Sequence, residues 1–159
     1  MPTDQQPALT VELVPQGQWG INLRSELSSS EWNRLRRSVY KDADYKCEVC
    51  GGVGRKHPVE CHERWDYNED TKTQTLVGLI ALCPACHEVK HFGRAQAVGR
   101  GFPAMAHLMA VNQWNEEDAM LYLGNVFEVW QRRSAEDWTL DISWMKHRGK
   151  APTGGLEGL

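Results

Sequence analysis

Two CxxC pairs constrain the fold of this chain more than any other feature of its sequence. The cysteines of the two pairs are Cys47, Cys50, Cys83 and Cys86. Two thiolates separated by two residues can reach one ion from a single tight turn, and two such pairs make a closed tetrahedral site that prefers zinc. A redox-active pair or an iron–sulfur cluster is less favoured, because Gly51, Gly52 and Pro84 suit knuckle turns. The sequence therefore predicts a structural zinc site.

The composition and the first residues indicate the cellular setting. With 41% hydrophobic and 25% charged residues, the 159-residue chain has the make-up of a soluble globular protein with one compact domain. No apolar stretch is long enough to cross a bilayer, and the polar residues 1–6 lack the layout of a secretion signal. We therefore expect a cytoplasmic protein with no membrane partner, in which paired cysteines bind metal rather than form disulfides.

Helix and strand patterns precede the cysteine-rich segment. Residues 9–14 alternate apolar and polar side chains, which predicts a short strand. Ser28 and Glu31 form a capping box, and Leu27 and Trp32 have the spacing of a hydrophobic staple, so a helix is expected to begin here. Its predicted buried stripe consists of Trp32, Leu35, Val39 and Tyr40.

Similar patterns follow the cysteine-rich segment. Pro103 suits the first turn of a helix, and Asn115 is expected to begin a second helix that runs towards Arg133. The predicted buried face of that helix consists of Met120, Leu123, Phe127 and Trp130. Residues 138–144 alternate apolar and polar side chains, which predicts a late strand paired with the strand at residues 9–14.

A pair of histidines directly follows the second CxxC. Pro84 marks a helix start, so His87 and His91 lie one turn apart on one face and can share an ion. Neighbouring residues on a helix point about 100° apart, so Cys86 can bind the structural zinc while the histidines face another ion. Residues 58–65 and 75–82 are predicted strands joined by a turn at 66–70. The sequence therefore predicts a hairpin and a helix around a second metal site.

Three segments in this region, CEVC, HPVECHERW and LCPACHEVKH, resemble the HNH, or His-Me finger, nucleases that carry a four-cysteine zinc beside the active site. The resemblance covers residues 45–95, roughly a third of the chain, and implies metal-dependent cleavage of phosphodiester bonds in DNA. By position in the motif, His62 matches the catalytic general base and His87 the metal ligand on the helix. His91 matches a second helical ligand of the colicin-like branch. The implied cofactors are a structural Zn²⁺ and a second divalent cation, either Mg²⁺, Mn²⁺, Ni²⁺ or Zn²⁺.

Two positions depart from the pattern of that family. The ligand that usually precedes the catalytic histidine is replaced by Cys61, which would bind the second ion unless Glu60, Glu63 or Asp66 takes its place. A thiolate ligand would favour a softer ion than magnesium. The asparagine that orients the base in the family falls near Gly78, which has no side chain for that role.

These departures leave an alternative open. Cys61, His62, His87 and His91 can instead form a second closed zinc site, which would make the protein a catalytically inactive two-zinc module that binds nucleic acid or protein. The remaining histidines have no partner spacing and are expected to be surface or core residues: His57, His107 and His147.

The expected fold class is α+β, with a zinc-stapled ββα-metal core of the HNH type, flanking helices and a terminal strand pair. Residues 1–27 would supply the N-terminal strand and loop, and residues 28–100 the core with its preceding helix. Residues 101–147 would supply the C-terminal helices and strand, and residues 148–159 a flexible tail.

The charge of the chain argues against a uniformly basic DNA-binding surface. The 18 basic and 21 acidic residues give a net charge of −3. Basic residues nevertheless gather around the two CxxC pairs: Arg34, Arg36, Arg37, Lys41, Lys46, Arg55, Lys56, Lys90, Arg94 and Arg100. They are either a local basic face for DNA or a solvated helix face. The seven tryptophans also leave open a protein partner or a homo-oligomer.

Overall fold

Three strands and seven helices give the described part of the chain a mixed α+β architecture. The computed structural model describes residues 6–18 and 23–148, with the backbone alone for residues 147 and 148. The elements in chain order are a 3₁₀ turn (Gln16–Gln18), α1 (Leu23–Glu26), α2 (Ser29–Asp42), β1 (Glu60–Asn68), β2 (Thr73–Leu82), α3 (Pro84–Lys90), α4 (Phe92–Ala97), α5 (Gly101–Asn112), α6 (Glu116–Ser134), β3 (Thr139–Asp141) and α7 (Trp144–Arg148). No helix among the described residues is both long and apolar enough to cross a bilayer.

The predicted hairpin is confirmed, with β1 and β2 paired antiparallel from Glu60 opposite Leu82 to Asn68 opposite Thr73. The first strand runs three residues further than expected and ends at Asn68. The Asn68 side chain accepts hydrogen bonds from two backbone N–H groups of the following turn, both at 3.0 Å. The turn therefore lies at residues 69–72, because the asparagine side chain caps it there.

The predicted start of α2 is also confirmed. The Ser28 side chain accepts from the Glu31 N–H, and the Glu31 carboxylate accepts from the Ser28 N–H, as in a complete capping box. Leu35 is buried against Leu76 of β2, in a small core that Trp32 also contacts. This packing holds α2 against the hairpin.

The two long C-terminal helices begin where the sequence predicts. Pro103 lies in the first turn of α5, and the Asn115 side chain accepts from the Asp118 N–H at the start of α6. One residue of the predicted buried face of α6 is wrong, because Met120 is 60% exposed and Ala119 is buried instead. The rest of the predicted face holds, since Leu123 is buried and Phe127 and Trp130 are partly buried, and Ala119 lies four residues before Leu123 on the same face.

The predicted strand at residues 9–14 is wrong, since the structure assigns this segment no strand. Its alternation has another cause: Leu9 and Val11 enter the main core formed with α3, α5 and α6. Its backbone bonds to side chains and to the Lys90 carbonyl of α3, not to a partner strand. The Asn112 amide bonds both the N–H and the carbonyl of Leu9, and the Tyr122 hydroxyl accepts from the Val11 N–H.

The predicted terminal strand pair is wrong as well. The late strand is only three residues long, and it pairs in parallel with the start of β2, so that Thr73 lies opposite Thr139. Trp144, expected in the strand, begins α7 instead. Since residues 9–14 lie on the helices, the exposed edge of β2 is the partner that remains for β3. Except for Arg148, the predicted tail lies outside the described residues.

Candidate metal centres

The two CxxC pairs converge on one point. Cys47 and Cys50 lie in the loop after α2, and Cys83 and Cys86 at the start of α3. All four Sγ atoms lie within 4.8 Å of one another, and those of Cys50 and Cys83 are 3.6 Å apart. A tetrahedral site with Zn–S bonds of about 2.3 Å has S···S edges of about 3.8 Å. The four cysteines therefore fit a metal ion such as zinc.

Backbone N–H groups surround these sulfurs. The Cys50 N–H points at the Cys47 Sγ at 3.5 Å, and the Cys86 N–H at the Cys83 Sγ at 3.4 Å. Such contacts stabilise thiolate charge, as ligand sulfurs require. Cys83 is also the N-cap of α3, so a ligand of the candidate zinc defines where this helix begins.

Two glycines shape the first loop: Gly51, which was predicted to suit a knuckle turn, and Gly54, which was not. Gly51 has φ of +75°, a conformation that favours glycine. Gly54 allows a close approach: a Cβ here would lie 2.3 Å from the His57 carbonyl oxygen and 2.6 Å from Pro84 Cδ. The loop can therefore pack against the start of α3 only because residue 54 has no side chain.

His107 is a partner of this site that the sequence did not indicate. Its Nε2 lies 3.1 Å from the Cys86 Sγ. The residue was expected to be unpartnered, because it is 21 positions from Cys86 on another helix. No local spacing could have revealed the contact.

The second cluster consists of three histidines from two elements. His62 projects from β1, whereas His87 and His91 come from α3 and its C-cap. The ring centroids are 5.3, 5.2 and 4.8 Å apart, and one nitrogen of each ring lies within 4.8 Å of the others. The Nε2 atoms of His87 and His91 are 3.2 Å apart, close to the edge of about 3.3 Å for a tetrahedron with Zn–N bonds of 2.0–2.1 Å. These two atoms fit as ligands of one ion.

Carboxylates hold the outer nitrogens of two of these rings. The His87 Nδ1 donates to Glu60 Oε2 at 2.5 Å, and the other oxygen of Glu60 accepts from His57 Nε2 at 2.7 Å. His62 Nε2 donates to Glu12 Oε2 at 2.6 Å. An ionised carboxylate only accepts, so each contact fixes the ring tautomer and its orientation.

The Glu12 carboxylate is itself held by a buried lysine. Lys90 Nζ lies 3.1 Å from Glu12 Oε1 and 2.7 Å from Thr10 Oγ1, and the Lys90 side chain is 7% exposed. Burial alone would raise the pKa of Glu12, but His62 and Lys90 together lower it below its ordinary value. Glu12 therefore remains an anion beside the His62 ring.

The electrostatics favour neutral rings at the two helical histidines. Burial lowers the pKa of His87, against the opposing effect of the Glu60 carboxylate. Burial, together with the nearby rings of His87 and His62, lowers the pKa of His91 to about 4, although its outer edge is exposed. A neutral imidazole is the form that binds a metal ion.

The structure does not bring Cys61 to this cluster. Neighbouring residues of a strand point to opposite faces, so its thiol lies on the other side of the sheet from His62. Burial and the nearby Glu63 carboxylate raise the pKa of Cys61 to about 12. Among the described residues, the metal-binding groups contain the other four cysteines and three histidines only.

Gly78, where the family has its orienting asparagine, lies opposite Arg64 in the hairpin and has no side chain that could reach the cluster. The ring of His62 is oriented by Glu12 instead, from a segment 50 positions earlier. No sequence signal links these two residues. The sequence does indicate Glu60 as a partner of the cluster, since it precedes His62 by two positions and therefore shares its face of β1.

Comparisons with known protein families, with curated proteins and with solved structures find no match to this chain. The assignment of roles therefore rests on the sequence motifs and on the geometry of the two clusters.

Proposed function

We propose that this protein is an HNH-type endonuclease, in which the four-cysteine site holds a structural zinc and the three histidines hydrolyse phosphodiester bonds in DNA. The observation that carries the proposal is the convergence of three imidazoles from a hairpin and the following helix, beside a four-cysteine cluster. This arrangement follows the motif segments that resemble the family.

The accessibility of the cluster supports catalysis. His62 is buried, whereas His87 is half-buried and His91 is exposed. Among the described residues the cluster offers three potential ligands and no fourth, and only two if His62 is the base, so an ion would keep at least one position for water or phosphate. A divalent ion bound by His87 and His91 would supply Lewis acidity, offsetting negative charge on the scissile phosphate and on the leaving oxygen.

His62 is suited to act as the general base. Its Nε2 is engaged by Glu12, which leaves Nδ1 as the nitrogen that can accept a proton. In the proposed step, Nδ1 takes a proton from water while the water oxygen bonds to phosphorus. The bond from phosphorus to the leaving sugar oxygen then breaks. The Glu12 carboxylate stabilises the imidazolium that forms, as in other carboxylate–histidine pairs.

One observation favours a second candidate function. His62 is only 5% exposed and belongs to the same group of potential ligands as the other two histidines. All three rings can therefore bind one zinc, although Cys61 does not close the site. With His62 as a ligand no general base would remain, and the protein would be a two-zinc module that binds nucleic acid or protein without cleaving it.

Metal analysis combined with a DNA-cleavage assay separates the two functions. The zinc-loaded protein is assayed on plasmid DNA with added Mg²⁺, Mn²⁺, Ni²⁺ or Zn²⁺. We expect one zinc that resists mild chelation, a second ion that exchanges, and cleavage that depends on that second ion. His62→Ala should lower cleavage by roughly 10²–10⁴-fold, the usual contribution of a general base, while both ions remain bound.

Cys61→Ser is the matched control, because it changes the adjacent residue on the opposite face of β1. It should retain both cleavage and metal content. If His62→Ala instead loses the exchangeable ion, His62 is a ligand and not the base. Absence of cleavage by the native protein with every metal would refute the nuclease function.

A further inference from the structure

A cleft of about 420 Å³ lies between α2 and the segment that leads into β1, and one of its lining residues, Glu60, bonds His87 of the histidine cluster. Its lining combines the apolar side chains of Pro58 and Val59 with those of Arg36, Tyr40 and Tyr45. His57 and Glu60 line it as well. This volume lies within the range of about 300–1,000 Å³ for small-molecule sites, and it is sufficient for one nucleotide.

The cleft is joined to the candidate catalytic cluster through one carboxylate. Glu60 bonds His57 with one oxygen and His87 with the other. Both oxygens are therefore engaged, and the positive ends of two imidazole N–H groups offset the negative charge that Glu60 brings to the cleft. A group bound in the cleft would be separated from the His87 ring by the Glu60 carboxylate.

Arg36 has the features of a group that binds phosphate. No ion pair among the described residues involves it; its Nε donates to the neutral Asn33 side chain at 2.9 Å. Its guanidinium also lies 5.9 Å from the centre of the Tyr40 ring, a cation–π distance. The side chain is thus positioned, yet its charge has no carboxylate partner within the described part of the chain.

The two tyrosines offer aromatic faces for stacking. Tyr45 is 51% exposed, and its backbone N–H donates to the Tyr40 carbonyl at 2.9 Å, which keeps the two residues together. Aromatic rings beside a guanidinium are how proteins bind unpaired nucleotides, with the base on the ring and the phosphate on the cation. Arg55 and Lys56, both exposed, directly precede the lining residue His57 and add positive charge to that segment.

We propose that this cleft binds one unpaired nucleotide of the DNA strand, next to the phosphate that the histidines would cleave. The inference rests on the proposed nuclease function and specifies where its substrate is bound. Tyr45 and Tyr40 would stack on the base, and Arg36 would bind the phosphate of that nucleotide.

Binding is tested without measuring cleavage, by the fluorescence anisotropy of a labelled oligothymidylate of eight nucleotides. The protein is loaded with zinc, and no other divalent ion is added. We expect Arg36→Gln and Tyr45→Asn each to weaken binding roughly tenfold, the order found for single stacking or phosphate contacts. Asparagine is chosen at position 45 because φ is +57° there, a conformation that asparagine tolerates well. Zinc content and circular dichroism verify that each variant is folded.

Arg34→Gln is the matched control, since it removes the same charge from an exposed position of α2 that does not line the cleft. It should weaken binding by less than threefold, roughly the effect of one distant charge. A duplex of the same length should bind more weakly and be insensitive to Tyr45→Asn.

The inference is overturned if folded Arg36→Gln or Tyr45→Asn binds the oligonucleotide as tightly as the native protein does. It is also overturned if Arg34→Gln loses as much affinity as Arg36→Gln. It is also overturned if Tyr45→Asn weakens duplex binding equally, or if the native protein does not bind the oligonucleotide. Because no cleavage is measured, binding with the expected variant pattern but no nuclease activity would refute the proposed function while leaving the nucleotide site standing.

Discussion

Glu12 connects the N-terminal segment to both the histidine cluster and α3, so its replacement tests several contacts at once. Its carboxylate accepts from His62 at 2.6 Å and from Lys90 at 3.1 Å, and its backbone N–H donates to the Lys90 carbonyl at 3.0 Å. The Lys90 side chain is 7% exposed, whereas that of Glu12 is 32% exposed. Glu12→Ala would leave the Lys90 ammonium group buried, with the Thr10 hydroxyl as its hydrogen-bond acceptor.

The expected cost follows from these exposures. Removing one member of a fully buried ion pair destabilises a protein by about 3–5 kcal/mol. Because a third of the Glu12 side chain is exposed, solvent screening reduces this, and we expect about 2–3 kcal/mol for Glu12→Ala. With a urea m-value of about 2 kcal/mol/M, the midpoint of unfolding should fall by about 1–1.5 M.

A double variant separates the buried charge from the other effects of the substitution. In a Lys90→Met background there is no buried ammonium group that could lose its carboxylate partner. Glu12→Ala should then lower the free energy of unfolding by only about 1 kcal/mol, the contribution of its hydrogen bond to His62. The measurement is equilibrium urea unfolding of zinc-loaded protein, followed by tryptophan fluorescence. A cost of Glu12→Ala below about 0.5 kcal/mol, or a double variant equal to the sum of the singles, refutes the coupling.

Glu12→Gln tests the catalytic side of the same contact. The glutamine carbonyl can still accept from Lys90, but its amide can only donate to His62 Nε2. The ring proton then moves to Nδ1, the nitrogen that should accept a proton from water. We expect cleavage to fall roughly 10–100-fold with ion content unchanged, as for other outer partners of catalytic or ligating histidines.

Two further outcomes follow from the scaffold. Cys83→Ser should abolish tight zinc binding and unfold the region around α3. The binding free energy of a structural zinc, about 10–16 kcal/mol, is as large as the whole free energy of unfolding of a domain, about 5–15 kcal/mol. Elemental analysis and near-ultraviolet circular dichroism measure the loss, and a folded, zinc-free variant would contradict the prediction. Asn112→Ala removes both amide bonds to Leu9 and should cost about 2 kcal/mol. Hydrogen exchange should then accelerate at Val11, whereas unchanged protection there would show that the core contacts alone hold this segment.

Local signals in the sequence predicted most of the elements. The caps at Ser28 and Asn115 mark helix starts within a few residues of chain, so the structure reproduces them. The pairing of His87 with His91 follows from one helical turn, and the fit of the four cysteines to one ion follows from two tight turns. Each of these signals lies within a single element or turn.

Contacts between distant segments could not be predicted in this way. Residues 9–14 alternate as a strand would, but the same period arises where an extended segment crosses helices and buries every second side chain. Periodicity reports which side is buried and not what covers it. For the same reason Glu12 and His107 gave no signal, since their partners His62 and Cys86 lie on other elements.

The two candidate metal sites depend on one short helix. An isolated helix of seven residues is unstable in water, because so few hydrogen bonds cannot offset the cost of nucleation. In α3 the first residues are held by Cys83 and Cys86, while His87 and Lys90 are on the same short helix and bind Glu60 and Glu12. Zinc at the cysteines would therefore fix the helix that sets the 3.2 Å separation of the His87 and His91 nitrogens. A structural ion at the cysteines would thus preorganise the histidine site, because ligands of both sites lie on this short helix or at its ends.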